Sequence, residues 1–321
     1  LTKTNPYRAV LVGLGNIAWG YDGGIGVPPL THLSCLLQRS QVQLVAACSP
    51  VPSERESFAG FAKVALYDDL APMLEGESPD LVSICSPTEH HFSHALACIQ
   101  AKIPMVWLEK PPVASVKEGE ELIKALRSGA TTLMVGYQRR YAQPFSSIRE
   151  SIARSLWGEV LSVTVHYGQK LYRNGCHGLD TVHYLLGDRD MSFISSWAGQ
   201  DRGTPSFSLL CGDVPVTFIG VAGDYHCLDW TLTFQKAQLE IRNGGSWVEL
   251  REVKKDHAYP SSWLMRSTPS HPFGSLSDCN GMALSLEDLI ASFEDGREPV
   301  SSLSSAMKTQ RIMEMVMEGL R

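Results

Sequence analysis

The sequence predicts two folds in succession: an α/β domain whose parallel sheet is covered on both faces, then an α+β domain built on an open, mostly antiparallel sheet. Three observations predict this. In the first third, short apolar runs alternate with helix-length segments. After about residue 155 the runs alternate residue by residue and are parted by turn residues. A glycine-rich turn follows the first apolar run directly. Strands that are nearly all apolar and separated by helices belong in a sheet buried on both sides.

The elements follow in order. "RAVLVGLG" is an apolar strand running into glycines, and "VQLVAACS", "PDLVSICSP", "IPMVWLEKP" and "TTLMVGYQ" are four more. Helices are expected between them at 32–39, 52–61, 67–74, 91–102 and 116–128. Later, "EVLSVTVHYGQ", "SFISSWAG", "SFSLLCGDVPVTFIGVAG", "CLDWTLTFQ", "AQLEIRNGG" and "SWVELREV" show the in–out alternation of antiparallel strands. A helix at 179–186 interrupts them, and the tail is helical at 284–293 and 303–319. "DHAYPSSWLMRSTPSHPFG" and "GSLSDCN" read as long loops. The boundary is expected near 117–130. That gives a first domain at 1–120 and a second at 121–321, whose C-terminal helix is free to pack back on the first.

Composition narrows the function classes. With 321 residues, 44% hydrophobic and 19% charged, the chain is an ordinary globular one with room for two cores. A net charge of −6 gives no basic footprint for nucleic acid or an anionic membrane surface. No stretch reaches the ~18 apolar residues of a membrane span. The opening LTKTNPYR lacks the apolar core of a secretory signal, and its start without Met predicts a trimmed terminus. Cys35, Cys48, Cys85, Cys98, Cys176, Cys211, Cys227 and Cys279 show no C-x-x-C spacing and read as buried thiols of a reducing cytoplasm.

"AVLVGLGNIA" places Gly13-x-Gly15-x-x-Ala18 directly after the first strand. Glycines there permit a tight turn and let the backbone approach a pyrophosphate, while Asn16 and Ile17 open a helix whose free N–H groups favour an anion. A sharp strand–helix turn with no ligand is the plainer reading. Its position at the first strand of an alternating α/β unit favours a dinucleotide. The helix at once meets "WGYDGGIGVPPL", with four glycines and two prolines, so 19–30 is expected to be an inserted loop, the helix resuming near Thr31 and His32. At the end of the second strand Ser49 stands where an NAD site usually carries an acid. NADP or NAD is therefore expected, leaning to NADP, with Arg55 or Arg39 able to meet a 2′-phosphate.

The glycine turn, "CSPTEHH", "EKP" and "GCHGLDTVHYLLG", standing in that order, resemble the Gfo/Idh/MocA oxidoreductase family over nearly the whole chain. The resemblance implies a Rossmann domain followed by an open sheet that carries substrate contacts and builds a homodimer or homotetramer. It implies hydride transfer between nicotinamide and the carbinol carbon of a sugar, sugar nucleotide or cyclitol. It places Ser86, Pro87 and Thr88 beside the cofactor's ribose and nicotinamide, with His91 closing that motif. Glu109, Lys110 and Pro111 match the family triplet, in which the Lys–Pro peptide is often cis. Gln138 and Arg140 fall near nicotinamide and substrate, and His177 matches the catalytic histidine. Many relatives carry Asp four residues before that histidine. Here the position is Arg173, which suits an anionic substrate such as a sugar nucleotide or uronic acid.

Removing hydride from a carbinol also requires removing its hydroxyl proton, and a positioned acid–base group supplies that. Lys110, at the carboxyl end of a parallel strand, stands where such sheets bind ligands, and the prolines behind it stiffen its mount. The plainer reading of "EK" is a surface pair. Asp180 shares a helix face with His177 and could fix its tautomer. His183 reads as packed helix. His90, His91 and His94 find no further ligands for a metal. Arg139 and Arg140 are expected to point apart. Tyr172 is a candidate to stack on a sugar; Tyr167 and Trp263 read as readily as core. Two other functions fit the same motifs: reduction of a non-sugar carbonyl or conjugated substrate, and a dinucleotide-binding regulator without turnover.

Overall fold

The computed structural model describes residues 5–127, 129–256, 258–259, 263–267, 273 and 280–320. The chain divides into two compact units, Leu1–Gln138 with Asn280–Met307, and Arg139–Cys279 with Lys308–Arg321. The first unit thus runs past the expected boundary near 117–130 and takes in a late segment that includes the helix Gly281–Asp295.

In the first unit, strands β1 (Tyr7–Val12), β2 (Val42–Cys48), β3 (Ala65–Tyr67), β4 (Leu81–Ile84), β5 (Met105–Leu108) and β6 (Thr132–Val135) form one parallel sheet. Its order is β3-β2-β1-β4-β5-β6. Helices α1 (His32–Leu37), α2 (Pro52–Ala59), α3 (Leu70–Glu77), α4 (Thr88–Gln100) and α5 (Val116–Leu126) make the crossovers. All four residues of β4 and of β5 are buried, which is why they lack polar alternation.

Helix starts follow local chemistry. Thr31 caps α1 by accepting from the Ser34 N–H, and Asp69 caps α3 by accepting from Leu70. Ser115 and Glu118 form a reciprocal capping box at α5. The inserted loop is real and wraps around one carboxylate. Asp22 accepts from the N–H groups of Gly24 and Leu30 and from the hydroxyls of Thr31 and Ser34, at 2.6–3.0 Å. Between glycine turn and loop stands a single helical turn, Asn16–Gly20, closed by Tyr21 N–H to the Asn16 carbonyl.

The second unit holds an eight-stranded sheet: β7 (Val160–Gly168), β8 (Met191–Trp197), β9 (Ser206–Cys211), β10 (Val214–Val221), β11 (Leu228–Phe234), β12 (Ala237–Arg242), β13 (Trp247–Lys255) and β14 (Trp263–Ser267). Its order is β14-β13-β12-β11-β7-β10-β9-β8, antiparallel throughout except where β10 lies parallel to β7. Along β11, Leu228, Trp230, Leu232 and Phe234 are buried while the residues between them are half-exposed. Phe207 and Phe218 stack at 4.4 Å in this core, and Tyr167 is fully buried there with its hydroxyl on the Pro205 carbonyl. Helices α6 (Gln143–Ala153) and α7 (Cys176–Leu185) belong to the same unit. The close packing of α7 on the sheet shows at Gly178, where a Cβ would lie 3.0 Å from Phe218.

Several elements differ from expectation. Helix α6 and strand β3 carried no prediction. Residues 263–267, expected in a loop, form an edge strand. The rest of the two expected long loops, and Cys279, lie largely outside the described residues. The seven described cysteines are free, and all but the half-buried Cys227 are buried. Among the described residues no helix is long and apolar enough to cross a membrane.

Candidate active site

The order of the first sheet reverses direction between β1 and β4. At such a switch point the loops leaving the two strands part and open a crevice. Gly13 follows β1 with φ of +82°, and a Cβ there would meet the Ser86 nitrogen at 2.6 Å and the Cys85 carbonyl at 2.8 Å. Only glycine lets these loops pass so closely. Gly15 has nothing within 4 Å of its Cβ position, so its outer side is open. The crevice has a volume of about 610 Å³. Gly13, Gly15, Asn16 and Ile17 line it, together with Ser49, Ser86 and Pro87. The N–H groups of Asn16 and Ile17 find no backbone acceptor among the described residues. Open backbone donors beside a bare glycine are what a pyrophosphate requires, so these residues fit a dinucleotide.

Further along the same sheet edge, Glu109 follows β5. It is buried, and its carboxylate receives two bonds: His32 Nε2 at 3.0 Å and the Lys110 N–H at 3.2 Å. Burial pushes this carboxyl up, but the His32 bond and the Lys110 charge and N–H outweigh burial and hold it below the usual carboxylate range. His32 is itself fixed by Ser83 at 2.7 Å and lies against Trp107, with ring centroids 3.8 Å apart. Glu109 is therefore no surface partner of Lys110. It is an anchored carboxylate that holds the backbone carrying Lys110, which is half-buried. The Lys110–Pro111 peptide is cis.

His91, in the first turn of α4, braces the neighbouring loops. Its Nδ1 lies 2.8 Å from the Pro111 carbonyl and its Nε2 2.8 Å from the Ser86 carbonyl. Burial lowers its pKa, and both carbonyls work in the opposite direction. The ring thus ties the Ser86 loop to the turn after Lys110. Thr88 opens the same helix, and Ser86 also bonds His94 at 3.0 Å. His90 and His94 stack on each other at 5.8 Å. Gln138 is half-buried just after β6.

In the second unit, Arg139 and Arg140 do point apart. Arg139 Nε donates to the Gly244 carbonyl at 3.1 Å, and burial pushes its pKa down to about 10. Arg140 forms a two-pronged bond with Asp180, Nε to Oδ2 at 2.9 Å and Nη2 to Oδ1 at 2.7 Å. Both oxygens of Asp180 are thus engaged by Arg140, a buried partner that the sequence reading did not foresee. Burial raises the Asp180 carboxyl, with Arg140 opposing. His177 is buried as the second residue of α7. His183 is fully buried with Asp188 3.4 Å from Nδ1, as a packed-helix residue should be. Tyr172 and Arg173 are exposed, and Arg173 lines a cleft of about 670 Å³ with Gln169, Lys170, Asp201, Thr204 and Asp224. Trp263 is exposed on the edge strand β14.

Sequence reasoning missed His32 and Glu54. His32 shows in sequence only as the residue after an N-cap threonine. Glu54 sits in the first turn of α2, and its carboxylate accepts from the Ser49 hydroxyl at 2.5 Å. The signal available was an acid five residues beyond Ser49, at the start of the next helix.

A doubly wound parallel sheet with a glycine turn and an open crevice at its switch point defines a dinucleotide-binding domain. The model of the oxidoreductase family with an NAD-binding Rossmann fold matches residues 7–137, and this segment belongs to that family, Gfo/Idh/MocA, as its motifs implied. The chain is 25% identical to the D-glucoside 3-dehydrogenase of Escherichia coli (strain K12), over 63% of this chain and 60% of that protein. It is 24% identical to the rhizopine catabolism protein MocA of Rhizobium meliloti, over 59% of this chain and 65% of that protein. The matches thus span less than two thirds of either curated relative. In fold, it superposes on the WlbA dehydrogenase of Bordetella pertussis, solved with NADH and UDP-GlcNAcA, with a TM-score of 0.79. That alignment covers 98% of this chain and 96% of that one at 15% identity.

Proposed function

We propose that the protein is an NAD(P)-dependent oxidoreductase that moves hydride between nicotinamide and a carbinol or carbonyl carbon of a sugar, sugar nucleotide or cyclitol. The observation that carries this reading is the mount of Lys110. It stands at the carboxyl end of β5, behind a buried carboxylate fixed by His32 and the Lys110 N–H, on the sheet edge that also bears the glycine turn. A solvated surface pair needs no such anchoring. The relatives named for glucoside oxidation and rhizopine catabolism support a polyhydroxylated substrate.

The nicotinamide accepts or returns the hydride when bound. Lys110 and His177 are assigned the hydroxyl proton: in oxidation it leaves the substrate oxygen as the carbon–hydrogen bond breaks, and in reduction it returns to that oxygen. Asp180, paired with Arg140, is assigned to hold the His177 ring in place. Tyr172 and Arg173 are assigned to the substrate, Arg173 favouring an anionic one. The sheet of the second unit is assigned to a homodimer or homotetramer.

The test is consumption of NADH or NADPH with a panel of neutral and anionic keto-sugars. Lys110→Met is expected to lower kcat at least about a hundredfold, the usual scale of acid–base assistance, while dinucleotide binding stays within about twofold. Turnover by Lys110→Met at the wild-type rate refutes the assignment. Dinucleotide binding with no turnover on any sugar favours the regulator.

A further inference from the structure

We propose that Glu54 sets the cofactor choice of this site, towards NAD(H) and against NADP(H). The inference rests on the dinucleotide reading of the crevice and on nothing about the substrate. In sequence, the missing acid at the end of β2, with Arg55 or Arg39 nearby, leans towards NADP. The structure supplies the acid from a different place. Glu54, one turn into α2, reaches back to the Ser49 hydroxyl at 2.5 Å and lines the crevice beside it. Its other oxygen, Oε1, takes no hydrogen bond among the described residues, which leaves an acceptor open at the strand end where the adenosine ribose hydroxyls are read.

Two more carboxylates stand at the same rim. Asp68 and Asp69 follow β3, the strand next to β2, and both line the crevice. No lysine or arginine is among its described lining residues. Of the two arginines that could meet a 2′-phosphate, Arg39 pairs with Glu287, while Arg55 stays at the strand end and donates from Nη1 to the Ser49 carbonyl at 2.5 Å. A 2′-phosphate would bring a further negative group towards three carboxylates, with Arg55 beside them already engaged by the Ser49 carbonyl, whereas a 2′-hydroxyl donates to Glu54 Oε1.

The test uses fragments that lack the nicotinamide, so that catalysis does not enter. ADP-ribose and 2′-phospho-ADP-ribose are titrated into the purified full chain by calorimetry. ADP-ribose is expected to bind tighter by about tenfold or more, the scale of one unrelieved charge contact at a partly solvated site. Glu54→Gln is expected to bring the two within about threefold, and Arg55→Ala to leave their ratio unchanged. Equal or tighter binding of the 2′-phosphorylated fragment to the wild type overturns the proposal. So does a ratio that ignores Glu54→Gln, or selective loss of the phosphorylated fragment in Arg55→Ala. Failure of both fragments to bind overturns the crevice assignment and this proposal together. Normal fragment selectivity with no sugar turnover supports this proposal and counts only against the proposed reaction.

Discussion

Asp180→Asn separates two accounts of one carboxylate. If Asp180 served to orient a catalytic imidazole, the variant would keep its stability and lose rate. The Arg140 pair predicts a loss of stability as well. The side chains of Arg140 and Asp180 are each only 1% exposed and meet through two hydrogen bonds at 2.7 and 2.9 Å. Asn retains the shape and one acceptor but removes the charge, leaving the guanidinium buried with Asp188 3.7 Å from Nη1. Breaking one side of a buried pair costs about 3–5 kcal/mol. In a domain of 150–250 residues each kcal/mol moves Tm by about 2–4 °C, so a fall of roughly 6–20 °C is expected. Differential scanning calorimetry reads the shift. The double variant Arg140→Met, Asp180→Asn removes the stranded charge, so the two losses should add to less than their sum. A Tm within about 2 °C of wild type for Asp180→Asn, together with a large loss of kcat, refutes the reasoning.

Two other outcomes follow from the geometry. Burial pushes the His183 pKa down to about 4 from an unfolded value near 6.5, so this ring stays neutral in the native state while the unfolded chain takes up a proton. Stability should then fall by about 3 kcal/mol as pH drops from 6.5 to 4, and urea titrations of His183→Gln should lose most of that slope if the assignment holds. Gly13→Ala forces a side chain into a positive-φ position with backbone atoms 2.6–2.8 Å from its Cβ. It should part the Ser86 loop from β1 and weaken NADH binding by about five- to thirtyfold if the one to two kcal/mol of backbone strain is met by distorting the crevice; unchanged binding would show that the turn does not shape the crevice.

The strands of both sheets were legible because burial imposes pattern: an all-apolar run for β4 and β5, strict alternation for β11. Strand β3 was not, since three residues with no fully buried member make no pattern, and neither was the edge strand β14, which lies in a stretch that reads as loop. Helix α6 hides behind Pro144 at its first turn and a run of serines, although Pro is welcome there. In the site, the residues touching the backbone path of the cofactor could be read from spacing, because the turn itself demands glycine. Partners brought together by the fold could not. His32 and Glu109 are 77 positions apart, and Arg140 and Asp180 are 40 apart. Glu54 shows in sequence only as one of two glutamates at the start of a helix, away from the strand end itself. Its helix carries it one turn past that point and its side chain reaches back.

The loop gathered around Asp22 changes how the glycine turn can hold an anion. Peptide dipoles aligned along an extended helix sum to about half an elementary charge at its start. Here the aligned groups behind Asn16 end within one turn, at Tyr21, and α1 begins afresh at His32. The far field of a long coil is therefore missing from this end of the crevice. Diphosphate affinity in this chain has to come from individual amides at contact range, so small displacements of Asn16 and Ile17 should matter more than the length or charge of the helix that follows.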